Sequence, residues 1–381
     1  MLRRTFVRAG GLAVGTALAG SLWQDAARAI SPQGDSPYGP LGTPDANGLA
    51  LPDGFTGRIV ARTGNRVGGM LWHPAPDGGA CFPDGDGWIY VSNSEIPLHG
   101  GASAIKFGPD GTIRGAYRIL SDTTLNCAGG RTPWNTWLSC EETSRGRVFE
   151  CDPYGVRTAL PRLAMGRFKH EAAACDPVRQ VVYMTEDERD GCFYRFRPNR
   201  WGSLTSGRLE VLCVDSDSDS DTGPVTWKRV PDPAAVREMT RYQVDAASRF
   251  QGGEGCYYAD GVCFFTTKVD NRVWGYDAER QRLEVVYDAD APLKGVDNLT
   301  GTPGGDLYIA EDGDNMEINL ITPDRTVAPF LRLDGHLKSE ITGPAFSPDG
   351  SRLYFSSQRG VLGDPAGTDG VTYEVAGPFR R

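Results

Sequence analysis

Acidic and amide side chains recur along this 381-residue chain at one place in a repeated pattern, and one cysteine falls among them. Asn126 and Cys127 are followed fifteen residues later by Glu141 and Glu142. Glu171 is followed by Glu186, Asp187 and Glu188; Glu254 by Asp270; Asp297 and Asn298 by Glu311 and Asp312; Glu340 opens a last copy. Many carboxylates brought to one place would repel strongly in a low-dielectric cleft, and multivalent cations resolve that conflict. Oxygen ligands suit hard ions such as calcium, whereas a thiolate from Cys127 suits iron better, so a mixed site is expected. The four histidines (His73, His99, His170, His336) are too few and too scattered for a three-histidine zinc site. His170 is read as orienting Glu171 or capping a strand.

The elements that must position these groups follow from six stretches with a shared plan: a polar residue, a short strand, a tight turn, a second strand and another polar group. They begin at Gly78 (GGACFPDGDGWIYVSNSE), Asn126 (NCAGGRTPWNTWLSCEE), His170 (HEAAACDPVRQVVYMTEDE), Gly252 (GGEGCYYADGVCFFTTKVD), Val296 (VDNLTGTPGGDLYIAEDGD) and Glu340 (EITGPAFSPDGSRLYFSSQ). Successive starts lie about 45 residues apart, except for about 80 between the third and fourth. Further strand-like runs such as NRVWGYDAERQRLEVVYD follow each stretch. This period predicts an all-β, six-bladed propeller with four-stranded blades and one inserted segment near 198–250. A pair of β-sandwiches or another closed barrel would be the competing architectures. In a propeller blade the first strand lines the channel and the second returns beside it, so the start of one and the end of the other share a face. The insertion holds DSDSDSDTG, read as a solvated loop, and a helical-looking PDPAAVREMTRYQ.

The N-terminus reads as a leader rather than as fold. Arg3 and Arg4 precede an apolar stretch from about Gly10 to Leu22, and Ala27-Arg28-Ala29 fits small-x-small cleavage. Residues 1–29 are therefore expected to be a twin-arginine signal and 30–381 one propeller domain, periplasmic or secreted. The apolar run is short and glycine-rich for a membrane anchor. A formal net charge of -9 disfavours nucleic acid as a partner. Nine cysteines fit an oxidising compartment, and an odd count leaves at least one free or ligating. Cys256 with Cys263, and Cys140 with Cys151, are placed symmetrically about turns and are the expected bridges.

The run NCAGGRTPWNTWLSCEE, followed by MGRFKHEA and YMTEDE, resembles the PhoX-type alkaline phosphatase family. The likeness continues through GGEG, VDNL, YIAEDGD and TGPAFSPDGSRLYFSSQ, across most of the mature chain. It implies an exported propeller that hydrolyses small phosphate monoesters at a cluster of iron and calcium ions, in which no serine nucleophile is required; the chain is expected to act as a monomer. By that resemblance Cys127 would bind iron, and Glu142, Glu171 and Glu254 would be the other catalytic ligands. Glu186, Asp187, Asp297, Asn298, Glu311 and Asp312 match its acidic pattern more loosely, and Glu141 is a further candidate metal ligand by its place in the repeat. The chain is short for the family, and Gly252 stands where the resemblance implies a basic residue two positions before Glu254; Lys268 is the candidate substitute at the substrate. A calcium-dependent lactonase or phosphotriesterase-like propeller, which needs only oxygen ligands, and a non-catalytic metal-stabilised binding propeller are the alternatives.

Overall fold

Short runs rich in tyrosine and aliphatic residues, punctuated by Asp-Gly and Pro-Asp-Gly, fold as antiparallel strands joined by tight turns. In one such turn Asp260 and Gly261 both take positive φ, 46° and 91°. That is the type I′ geometry which matches strand twist, and it makes Ala259 and Val262 the last paired residues of the hairpin. The computed structural model describes residues 34–215, 221–288, 291–313 and 315–381. The expected leader lies outside these residues, as does most of the Asp/Ser run.

The described residues are all-β, broken only by two single-turn 3₁₀ segments, Leu163–Met165 and Thr240–Tyr242. No helix among them is long and apolar enough to cross a membrane. The arrangement is propeller-like. Six hairpins, named here in chain order, form its inner part: Pro76–Asp84 with Gly87–Ser94, Asn126–Arg131 with Trp137–Glu141, His170–Asp176 with Val181–Glu186, Gly253–Ala259 with Val262–Thr267, Val296–Gly301 with Leu307–Glu311, and Ile341–Phe346 with Arg352–Ser357. The first strand of each packs against the first strand of the next, and the sixth returns to the first. Gly78 shows how closely they approach: a Cβ there would lie 2.4 Å from the Cα of Ala128 on the neighbouring strand.

Four sheets of four or five strands and one of nine are built outward from these hairpins. The strand Thr56–Arg62 adds to Val371–Ala376, so the N-terminal part of the chain completes the last sheet. Leu49–Ala50 likewise edges the fifth-hairpin sheet by pairing with Val327–Leu333. Buried aromatic and aliphatic side chains, such as Phe193, Phe265 and Trp274, fill the space between neighbouring sheets.

The nine-stranded sheet corrects the expected insertion. Ser203–Val214 pairs with Phe193–Arg200 and is the outer strand of the third-hairpin unit. Gly223–Arg229 then pairs with it and, through Gly223 and Pro224, with Leu283 and Arg282, joining the third and fourth units edge to edge. The helix expected over PDPAAVREMTRYQ is absent. Pro231 and Pro233 remove two amide donors, Asp232 accepts from the amides of Ala234 and Val236, and Arg241 is drawn to Glu186.

Neither expected disulfide is present, since all nine cysteines are thiols. Cys140 pairs with Val148 and Cys151 with Trp137, so the hairpin register separates them. The Asp260-Gly261 turn places Cys256 opposite Phe265 and Cys263 opposite Tyr258. Their sulfurs touch diagonally at 3.5 Å, well beyond the roughly 2 Å of an S–S bond.

Candidate metal centre

Every one of the six inner hairpins carries a one-residue bulge near the start of its first strand. In the first, Pro76 pairs with Ser94 but Gly79 with Ser92, three residues against two. The same slip separates Asn126 from Gly129, His170 from Ala173, Gly253 from Cys256, Val296 from Leu299, and Thr342 from Ala345. The first residue inside the slip is Asp77, Cys127, Glu171, Glu254 and Asp297 in the first five hairpins, and Gly343 in the sixth. A bulge re-aims a side chain that strict alternation would send to one face of the sheet. Five ligand-type side chains are thus turned toward the same end of the ring. Gly343 sits at φ 59°, and a Cβ there would lie 2.7 Å from the carbonyl oxygen of Asp77; the sixth hairpin contributes Glu340 from just before its strand instead.

The bulged carbonyls are held by the neighbouring hairpins. Asn93 donates to the carbonyls of Cys127 and Ala128 at 3.0 and 2.8 Å. Thr185 donates to that of Glu254 and Thr266 to that of Asp297, both at 2.5 Å, and Thr342 to that of Pro76 at 2.9 Å. Four of the six hairpins thus help fix the start of the next one round the ring.

A second set comes from the residue after the second strand, which returns beside the bulge. It is Glu95, Glu142, Asp187, Lys268 and Asp312 in the first five hairpins. Together the two sets make four overlapping triads, each with ligand atoms within 4.8 Å of one another: Asp77, Glu95 and Cys127; Cys127, Glu142 and Glu171; Glu171, Glu254 and Asp297; Asp297, Asp312 and Glu340. The Cys127 thiol donates to Glu171 Oε1 at 3.2 Å, while Glu171 Oε2 is buried with no partner among the described residues. Gln358 Nε2 reaches both Asp77 and Glu95, at 2.6 and 2.7 Å.

Burial, and crowding after it, raise the proton affinity of six of these carboxylates. Burial, then Asp297, pushes Asp77 up to about 8. Burial pushes Asp297 up to about 7, with Asp312 adding to it and Lys268 opposing. Glu95, Glu171, Glu254 and Glu340 are held well above the usual carboxylate range, by burial first and by neighbouring carboxylates second. Burial, then Asp77 and Glu171, raises the Cys127 thiol. Three cations temper the field. Lys169 bridges Glu142 and Asp187 at 2.8 and 2.7 Å, Lys268 lies 3.1 Å from Glu254, and Arg359 2.8 Å from Glu340.

Cys127, Glu142, Glu171, Glu254, Asp297 and Asp312, all expected from sequence, are brought together here. Asp187 stands at the rim, bound by Lys169. Asn298 is adjacent but engaged, donating to Asp297 and accepting from the amide of Gly343. Three expected ligands turn away, because strand alternation gives Glu141, Glu186 and Glu311 the opposite face from the residues that follow them. Glu141 is bound by Arg147 and the amide of Thr124. Glu186 accepts from Tyr194, Arg241 and the amide of Cys192. Glu311 accepts from Asn319 and the amide of Lys294. Asp270 pairs with Arg272 and Glu188 with Arg241. His170 bonds to the Gly166 carbonyl at 3.2 Å and stacks on Phe168, so it does not orient Glu171. Gly252 lies at φ 72° with its Cβ position 3.2 Å from Asp187.

Asp77, Glu95, Lys169, Gln358 and Arg359 were missed as site residues. Asp77 directly precedes the Gly78 at which the first repeat was begun, and aligning all six copies on their first polar residue would have found it. Below the cluster the channel widens into a cavity of about 290 Å³, lined by Ala80, Gly130, Ala174, Tyr257 and Phe346 among others.

The profile of the alkaline phosphatase PhoX family matches residues 91–148 and 143–284, more than half of the chain. The chain belongs to this family. It is by that membership a phosphatase-type enzyme. Among solved structures, Pseudomonas fluorescens PhoX in complex with vanadate, a transition state analogue, superposes with a TM-score of 0.73 at 18% identity, covering 89% of this chain and 97% of that one. This likeness shows a shared fold. A Bacteroides thetaiotaomicron protein of unknown function follows at TM-score 0.51 and 10% identity, covering 84% and 76%. A gluconolactonase from Xanthomonas campestris covers 92% and 99% at TM-score 0.46 and 12% identity, too distant to carry an argument. No curated protein matches the sequence.

Proposed function

We propose that this chain is an exported phosphomonoester hydrolase, acting as a monomer at a mixed iron and calcium cluster. The observation that carries the reading is the set of four overlapping triads, with the Cys127 thiol inside an otherwise oxygen-only ring. The buried and unpartnered Glu171 Oε2 supports it further, since a carboxylate oxygen in that position needs a cation or a proton. The closed ring of first strands supports counting six blades, the third and fourth fused through Gly223–Arg229.

In this reading Cys127, Glu142, Glu171 and Glu254 hold the ions nearest the reaction, with a thiolate suiting iron. Asp77, Glu95, Asp297, Asp312 and Glu340 offer oxygen ligands suited to calcium. Such ions would supply the positive charge that polarises a phosphate ester and acidifies a nucleophilic water. The chain's own residues do the rest. The neighbour-held bulges fix the ligands before substrate arrives. Lys268 and Lys169, with side chains 35% and 28% exposed, present ammonium groups at the mouth where phosphate oxygens would enter. Lys268 can thereby serve in place of the basic group absent at Gly252.

Hydrolysis of p-nitrophenyl phosphate at alkaline pH by protein purified from a host that exports it folded is the test, with a lactone and a phosphotriester run beside it. Phosphatase activity that disappears on chelation and in Cys127→Ser is expected. Fully metal-loaded protein without phosphatase activity would overturn the proposal, and lactone cleavage alone would move it to the oxygen-ligand alternative.

A further inference from the structure

We infer that Lys268 is a resident cation of the cluster, its ammonium standing in the fourth hairpin where a divalent ion would otherwise be required. The inference rests on the metal-cluster reading above and concerns how many ions the ring takes. Its first support is the repeat. At the residue after the second strand, four of the first five hairpins place a carboxylate (Glu95, Glu142, Asp187, Asp312), and the fourth places Lys268. Its second support is contact. The Lys268 nitrogen lies 3.1 Å from Glu254 Oε1, 3.4 Å from Asp312 Oδ2 and 3.9 Å from Asp297 Oδ2. Those three carboxylates belong to the third and fourth triads, which share Asp297.

An ammonium among three carboxylates supplies one positive charge and up to three donors, and no chelator removes it. It also occupies space in which a divalent ion would have to meet the same oxygens at about 2.4 Å. The Asp297 side of the ring thus carries one ammonium shared by three of its ligands before any metal arrives. On the other side Lys169 contacts a single triad ligand, Glu142, and Gln358, which carries no charge, contacts Asp77 and Glu95.

The test is calcium stoichiometry by equilibrium dialysis of the full mature chain, since the third and fourth triads are oxygen-only. Lys268→Glu restores the pattern of the other hairpins and is expected to bind one calcium more per chain than the parent; Lys268→Arg is expected to bind the same number as the parent. An unchanged or lower count in Lys268→Glu, with circular dichroism showing the strand signal intact, overturns the inference while leaving the metal centre standing. A parent chain that takes up no calcium overturns both. Should Lys268→Glu fail to fold, Lys268→Gln decides in the same way: one added calcium supports the inference and an equal count refutes it.

Discussion

Replacing Glu171 with glutamine should change stability in opposite directions with and without metal. Glu171 is fully buried and belongs to two triads, so its ligand atom lies within 4.8 Å of those of Cys127 and Glu142 on one side and Glu254 and Asp297 on the other. At that separation two full charges interact by about 3.5 kcal/mol at an effective dielectric constant near 20. Burial, and the surrounding carboxylates after it, already raise the proton affinity of Glu171, which lowers the relief that glutamine brings. In chelated protein Glu171→Gln should therefore stabilise the fold by roughly 1–3 kcal/mol, a rise in Tm of about 1–4 °C for a chain of this size. With metal the sign reverses, because one substitution removes a corner from two triads. A tenfold loss of affinity at each of two saturated sites costs about 3 kcal/mol in all. The assay is thermal unfolding at pH 8 in EDTA and in saturating calcium and iron. A shift of the same sign in both conditions would refute the claim that repulsion among these carboxylates is what bound cations relieve.

Two further expectations follow from the same geometry. Asp77 and Asp297, with pKa values near 8 and 7 in the fold against an ordinary value near 4, bind more protons folded than unfolded. Their contribution is full below pH 4 and is lost as pH rises through 7 and 8, so metal-free protein should lose stability between pH 5 and 8. Metal-loaded protein should gain over that interval as protons cease to compete for the ligands; parallel Tm curves for the two forms would refute this. Thr185→Val leaves the bulged carbonyl of Glu254 without its donor in a buried place. It should cost about 1–3 kcal/mol in chemical denaturation and weaken metal uptake, whereas Thr185→Ser, which keeps the hydroxyl, should cost less than half as much.

The third-hairpin unit illustrates what could be read early and what could not. A strand pattern, a tight turn and a closing TEDE run are plain in HEAAACDPVRQVVYMTEDE, and so is the presence of carboxylates at both ends. Which of Glu186, Asp187 and Glu188 meets Glu171 is not, because successive side chains on a strand point to opposite faces and a one-residue change in register exchanges them. Glu186 consequently belongs to Tyr194 and Arg241, and Asp187 to Lys169. The disulfide expectations failed for the same reason, each displaced by the true centre of its hairpin.

The sequence alone determined that strand-forming units recur and that each brings a polar residue to its start, because those properties are local: side-chain type, turn-forming pairs and the spacing between them. It also set the chemistry available, nearly all oxygen with one thiol. Tertiary structure decided which of those residues face one another. The bulges that aim Asp77, Cys127, Glu171, Glu254 and Asp297 exist only in the pairing of two strands, and the carbonyls of Cys127, Glu254 and Asp297 are held by a neighbouring hairpin. Lys268 likewise becomes part of a carboxylate ring only once hairpins far apart in the chain close on one another.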